Sequence, residues 1–191
     1  ADASDDVLVQ RLLEVINEGE RDATYKLALL LAIIEWATTT SGGQKIPTAD
    51  LAEIVLSQYF RQIRKFAVDS GEMLVLKQGN SPNLKILAAA AELANAHPTK
   101  MRLGSIREVD PTGFVAAALE VEKVLVGQPI PRLQTVGNTQ IPFLYEWKWK
   151  PKQTLGPVKK AGEDHLLLVP GVRDRLVSLG PLLRPIIEQF W

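Results

Sequence analysis

Asp22-Ala23-Thr24-Tyr25-Lys26-Leu27-Ala28-Leu29-Leu30-Leu31-Ala32-Ile33-Ile34-Glu35-Trp36-Ala37-Thr38-Thr39 decides the fold class of this chain. A helix over residues 23–39, with Asp22 as its cap, is apolar on nearly every face. Such a helix is expected at the centre of a helical domain, not on its surface. Lys26 and Glu35 close the uninterrupted apolar run at Leu27 and Ile34, well below the roughly 18 residues of a membrane span.

Upstream, Ser4 or Asp5 caps a helix with apolar positions Val7, Val9, Leu12, Leu13 and Ile16, expected to end at Gly19. Downstream, residues 38–43 read as a flexible linker. Pro47-Thr48-Ala49-Asp50 then opens a third helix with Leu51, Ile54, Val55, Tyr59, Ile63 and Phe66 along one side. Gly71 interrupts it. Residues 73–76 are a short strand candidate, and Gly79-Asn80-Ser81-Pro82 is a turn into a fourth helix over 84–96. Asp110-Pro111-Thr112 starts a fifth helix, through about residue 126, with proline at its first position. Residues 129–137 read as irregular, and 141–149 and 165–169 as a two-stranded hairpin. A last helix begins at Gly171 and is kinked or split at Pro181 and Pro185. The expected architecture is a mainly α, single domain over 1–191, with about six helices and a small β-hairpin.

With 191 residues the chain can bury a core without staples. It has no cysteine, which removes disulfides, thiolate metal sites and cysteine nucleophiles and fits a reducing compartment. The acidic N-terminus is unlike a signal peptide. A cytoplasmic protein with no membrane partner is expected. Net charge is zero but unevenly spread. Residues 1–22 hold seven acids against two arginines, net −5; residues 61–85 are net +3 and residues 145–160 net +4. Two basic segments on a neutral chain can form a local positive face, which a polyanion feels.

Catalytic constellations are missing. His97 and His165 fit no metal-ligand spacing, and no GxSxG, GxxxxGK[ST] or GxGxxG occurs. Ser41-Gly42-Gly43-Gln44 follows a helix, not a strand, so it is not a phosphate loop. Glu120 and Glu122, two apart on a helix, face different ways. No catalytic residue, metal or cofactor is expected; the chain acts by binding.

Two segments are more specific. Thr24-Tyr25-Lys26 sets a hydroxyl, a phenol and an ammonium at the positive end of a very apolar helix. Tyr59-Phe60-Arg61-Gln62-Ile63-Arg64-Lys65-Phe66 is followed by Val75-Leu76-Lys77-Gln78-Gly79-Asn80-Ser81. Together these resemble the N-terminal DNA-recognition domain of bacterial HNH-type restriction endonucleases, some of which are sulfur-binding domains. The likeness continues through Ile130-Pro131-Arg132-Leu133-Gln134, Pro142-Phe143-Leu144-Tyr145-Glu146-Trp147 and Leu179-Gly180-Pro181-Leu182-Leu183-Arg184-Pro185.

The resemblance implies a reader of phosphorothioate-modified double-stranded DNA, with an HNH nuclease expected downstream of Gln189-Phe190-Trp191 in a longer protein of restriction and phage defence. It places Tyr25, Lys26, Arg61, Gln62, Arg64, Lys77, Gln78 and Asn80 on recognition segments. Tyr59 joins them as carbon surface beside Arg61 and Arg64, and Lys85 as the last cation of the first basic segment. Lys77 stands where the family carries arginine, which keeps phosphate contact but loses the bidentate fork for base reading. The rival readings are a reader of another DNA modification on the same scaffold, and a structural domain that pairs two copies of the full-length protein as a homodimer.

Overall fold

The computed structural model describes residues 3–22, 24–70, 81–136 and 139–190. The expected central helix is α2 (Thr24–Thr39), in which every residue from Leu27 to Ile34 is buried. Around it pack α1 (Ala3–Asp22), α3 (Thr48–Ser70), α7 (Pro129–Leu133) and α9 (Val172–Phe190). α4 (Pro82–Ala96) and α6 (Pro111–Gly127) pack on α3 and on each other, and α5 (Leu103–Val109) packs on α6. The chain is mainly α, as expected.

Polar contacts set the helix directions. The Trp36 indole Nε1 donates to Asp50 Oδ2 at 3.1 Å, tying the end of α2 to the start of α3. Arg173 donates to the carbonyls of Ala37 and Thr40, so α9 supplies a cation to α2's otherwise unpaired last carbonyls. Further along, Gly180 lets α9 approach closely: a Cβ there would lie 3.3 Å from Ile34 Cγ2. Arg184 then pairs with Glu35 at 3.0 Å. Both α3 and α9 therefore run antiparallel to α2.

The small sheet differs from a simple hairpin. β5 (His165–Leu168) pairs antiparallel with β4 (Tyr145–Glu146), as the alternation predicts. β5 is the central strand, however, because β1 (Lys45–Pro47) pairs on its other edge with Ile46 opposite Leu166. Three residues, the last of them a proline, are too few to show a period of two. A separate two-stranded pair joins β2 (Thr135–Val136) and β3 (Thr139–Gln140).

Other boundaries shift for identifiable reasons. α1 runs through Gly19 to Asp22, past its expected end; one glycine costs a helix only about 1 kcal/mol. α5, α7 and α8 (Leu155–Lys160) are too short to give a periodic signal. α9 continues through Pro181 and Pro185. Each proline leaves a carbonyl four residues back without its helical donor, and Val177, Pro181 and Pro185 all lie on the exposed side where water serves. The strand candidate at 73–76 lies outside the described residues.

Two buried polar side chains hold separate segments together. Gln134 is fully buried; its Oε1 accepts from the N–H groups of Phe143, Leu144 and Tyr145 at 2.9, 2.6 and 3.1 Å, and its Nε2 donates to the Tyr145 carbonyl at 2.8 Å. Glu122 accepts from Thr48 Oγ1 at 2.6 Å and from Lys159 Nζ at 2.7 Å, joining α6 to α3 and α8. Glu120, by contrast, faces solvent and pairs with Lys123 at 2.6 Å, so the two carboxylates do point apart.

Candidate nucleic-acid interface

Among the described residues, the sequence-predicted recognition side chains do not share one surface. Tyr25 and Lys26 are half-buried in the first turn of α2. Tyr59 is buried, and its hydroxyl donates to Asn83 Oδ1, anchoring α3 to the start of α4. Arg64 is also turned inward. Its guanidinium stacks over the Phe60 ring at 5.0 Å and donates to the carbonyls of Ala94 and His97, capping the end of α4. Burial lowers its pKa from the usual arginine value. Both residues are committed to the fold, which corrects the expectation that they face DNA. Arg61 and Gln62 line a groove described below. Lys77, Gln78 and Asn80 lie outside the described residues. Lys85 is exposed, and it leads to a different surface.

α4 is capped by Ser81, whose Oγ accepts from Leu84 N at 3.3 Å, with Pro82 in the first turn. Lys85 projects from that turn into a depression of about 400 Å³, lined also by Lys123, Gly127 and Gln128 of the α6 end and by Lys152. Three ammonium groups from three distant parts of the sequence thus converge near the positive end of a helix. Among the described residues Glu120 is the one carboxylate in the lining, and it pairs with Lys123.

Lys152 is held there by an unusual backbone. Its φ of 67° is positive, the sole non-glycine case among the described residues. Its N–H donates to the Gly127 carbonyl at 3.3 Å, and the turn is closed by Gln153 N to Lys150 O and by Lys150 N to Gln153 Oε1, both 3.1 Å. A left-handed lysine costs on the order of 1 kcal/mol, and such outliers cluster where a side chain must be aimed.

The same turn borders a second hollow of about 470 Å³, lined by Gln140, Pro142, Glu146, Trp147, Trp149, Lys150 and Pro151, so that it holds one carboxylate beside one ammonium. Its aromatic walls are anchored by specific contacts. Trp147 meets the Tyr145 ring edge-on, with centroids 5.9 Å apart at 63°. Tyr145 is fully buried and donates to the Ile130 carbonyl at 2.7 Å, and burial pushes its pKa well above the usual phenol value. Trp149 donates to the Val126 carbonyl at 2.9 Å, and Gln134 clamps the three residues leading into β4. Nearby in sequence, Lys148 makes itself felt at His165. Burial first, then the charges of Lys45 and Lys148, lowers the His165 pKa.

The groove that holds Arg61 and Gln62 lies between α2, α3 and α9 and encloses about 690 Å³. Lys65, Phe66 and Arg184 line it too, but so do Glu35, Asp69 and Glu188. Its three cations are matched by three carboxylates, so it offers no net attraction to a polyanion.

Residue reading missed Lys123, Lys152, Pro142, Trp147 and Pro151 as members of one surface. The net +4 of residues 145–160 was the available signal; its junction with Lys85 exists only in the folded chain. Comparison with protein-family models, with curated proteins and with solved structures finds no match to this chain. No helix among the described residues is long and apolar enough to cross a membrane.

Proposed function

We propose that this chain is a cytoplasmic DNA-reading module that recognises phosphorothioate-modified double-stranded DNA, without catalysis of its own, and targets an HNH-type restriction nuclease of which it forms part. One observation carries the reading: the lysine depression and the proline–tryptophan hollow meet at the Lys150–Lys152 turn. Lys85, Lys123 and Lys152 suit backbone phosphates, which position a protein on a duplex without reading its sequence. Sulfur is larger, softer and less hydrated than oxygen. Carbon surface from Pro142, Pro151 and Trp147, edged by Lys150 and Glu146, is the kind of wall that favours it.

The two backbone groups carry the same charge, so counterion release cannot separate them. Burying a few tens of Å² of sulfur and carbon surface contributes on the order of 1 kcal/mol. Sparing a phosphate oxygen its desolvation adds about 1–3 kcal/mol. The expected preference is roughly ten- to a thousand-fold and nearly independent of salt.

Matched duplexes differing at one backbone position, titrated with the 191-residue chain at several salt concentrations, test this. Lys85→Gln and Lys152→Gln should weaken binding to both duplexes and reduce the salt slope by about 0.9 each. Pro142→Ser and Pro151→Ser, both at exposed positions, should reduce the sulfur preference while leaving unmodified-duplex affinity nearly intact. Equal affinity for the two duplexes ends the sulfur claim; no salt-dependent duplex binding ends the DNA claim. A role in self-association is favoured by one feature, the exposure of Leu182 and Ile186, at 67% and 39%, four residues apart on α9. Sedimentation of wild type against Leu182→Lys separates that role from DNA reading.

A further inference from the structure

Residues 150–153 form the turn at which the lysine depression and the proline–tryptophan hollow meet. Gln153 N–H donates to the Lys150 carbonyl at 3.1 Å, with Pro151 second in the turn and the left-handed Lys152 third. That is the pattern of a type II turn, whose third position ordinarily holds glycine or asparagine. A lysine there works against its own backbone, and persists only where surrounding contacts hold it.

Two sets of contacts do so. The Gly127 carbonyl, at the end of α6, needs a donor from outside the helix: four residues on stands Pro131, which has no N–H. Lys152 N–H supplies it at 3.3 Å. The neighbouring Val126 carbonyl accepts from Trp149 Nε1 at 2.9 Å. The end of α6 thus ties down a wall of the hollow and a lysine of the depression together. On the other side, Gln153 Oε1 accepts from the Lys150 N–H at 3.1 Å. Gln153 therefore grips both backbone groups of Lys150, one with its side chain and one with its main chain.

Lys150 and Pro151 line the hollow and Lys152 lines the depression, whereas Gln153 lines neither. We propose that Gln153 is a positioning residue: its amide locks the turn that sends Lys152 to the depression while Lys150 and Pro151 stay at the hollow. The phosphate cations and the carbon wall then meet one duplex backbone in a fixed register. This inference rests on the DNA reading given above. Sulfur preference depends, on this account, on where the phosphorothioate stands relative to the phosphates that the lysines hold, and a side chain that touches neither group controls it.

The test uses duplexes whose single phosphorothioate is moved one nucleotide at a time along one strand. Each is titrated with the 191-residue chain as wild type, Gln153→Leu, Gln153→Glu and Lys152→Gly. Wild type should prefer the sulfur at one position. Gln153→Leu removes the acceptor but no charge. It should lower the preference at that position about three- to ten-fold, the worth of one hydrogen bond, and flatten the profile across positions. Gln153→Glu keeps the acceptor, so it should keep the profile while its charge weakens binding to every duplex. Lys152→Gly keeps the turn, because glycine adopts a positive φ freely; it should keep the preferred position and lose about 0.9 from the salt slope. A merely structural role for Gln153 would weaken binding to all duplexes alike and leave the shape of the profile unchanged in Gln153→Leu. That result overturns the proposal, as does a Gln153→Glu profile as flat as that of Gln153→Leu. Wild type that binds duplexes with no sulfur preference at any position ends the sulfur reading and this inference with it. A clear wild-type profile that Gln153→Leu reproduces ends the inference alone.

Discussion

Replacing Gln134 by leucine isolates the contact that shapes the proline–tryptophan hollow. Leucine is close in size and fills the space, so cavity formation is a minor term. What is lost is hydrogen bonding: three N–H groups, of Phe143, Leu144 and Tyr145, lose their shared acceptor, and the Tyr145 carbonyl loses its donor. A buried polar group left unpaired costs about 1–3 kcal/mol, so four set an upper bound near 4–12 kcal/mol. The true cost is smaller. Phe143 is half-buried, so water can reach its N–H once the loop loosens, and leucine recovers some transfer energy. A loss of about 3–5 kcal/mol remains, a large share of the 5–15 kcal/mol typical of a domain. For a chain of this size that corresponds to a melting temperature lower by roughly 10–15 °C.

Urea titration and calorimetry of wild type and Gln134→Leu measure the loss. Near-ultraviolet dichroism of Trp147 and Trp149 should weaken before the helical signal does. A Gln134→Leu variant that melts within about 3 °C of wild type, with tryptophan dichroism unchanged, refutes the role assigned to this side chain.

Arg64→Gln should destabilise the chain by about 2–4 kcal/mol, since it removes the donor to two buried carbonyls and the contact with Phe60. It should leave the salt slope of duplex binding unchanged; a slope reduced by one phosphate contact would put Arg64 back at the DNA. Gly180→Ala should be nearly neutral, because about 1 kcal/mol of helix propensity offsets the 3.3 Å approach to Ile34, whereas Gly180→Val should cost about 1–3 kcal/mol by overpacking. Equal melting temperatures for the two variants would show that α9 does not sit so close to α2. Acidification should destabilise the chain in two windows. The lowered pKa of His165 favours its neutral form in the fold, so stability declines as pH falls below the ordinary histidine value of about 6.5, and His165→Gln should remove that step. Asp110 is held below the usual carboxylate range by the Gly113 N–H and by His97, so its contribution is present above about pH 4 and lost below it; Asp110→Asn should remove this second step only.

Local chemistry alone carried much of the architecture. The apolar run in α2 could be satisfied only by burial on all sides, whatever surrounds it, so a central helix and a mainly α fold were legible from residues 22–39. The long helices α3, α4 and α6 were legible for the same reason: their periodicity, their prolines near the first turn and their caps are short-range properties. The pairing of residues 145–146 with 165–168 was visible as alternation, but β1 was not, since three residues become a strand only when β5 offers its free edge. The direction of a side chain was harder still. Arg61 and Arg64 are three apart on one helix and look equivalent as letters, yet one lines a groove and the other caps α4, because only the docking of α4 decides which side of α3 is inside. The lysine surface depends on tertiary structure entirely. Lys85, Lys123 and Lys152 belong to separate segments, and nothing in the spacing of one segment encodes its distance to the others. Packing of α4 against α6, and the left-handed turn that aims Lys152, bring them together.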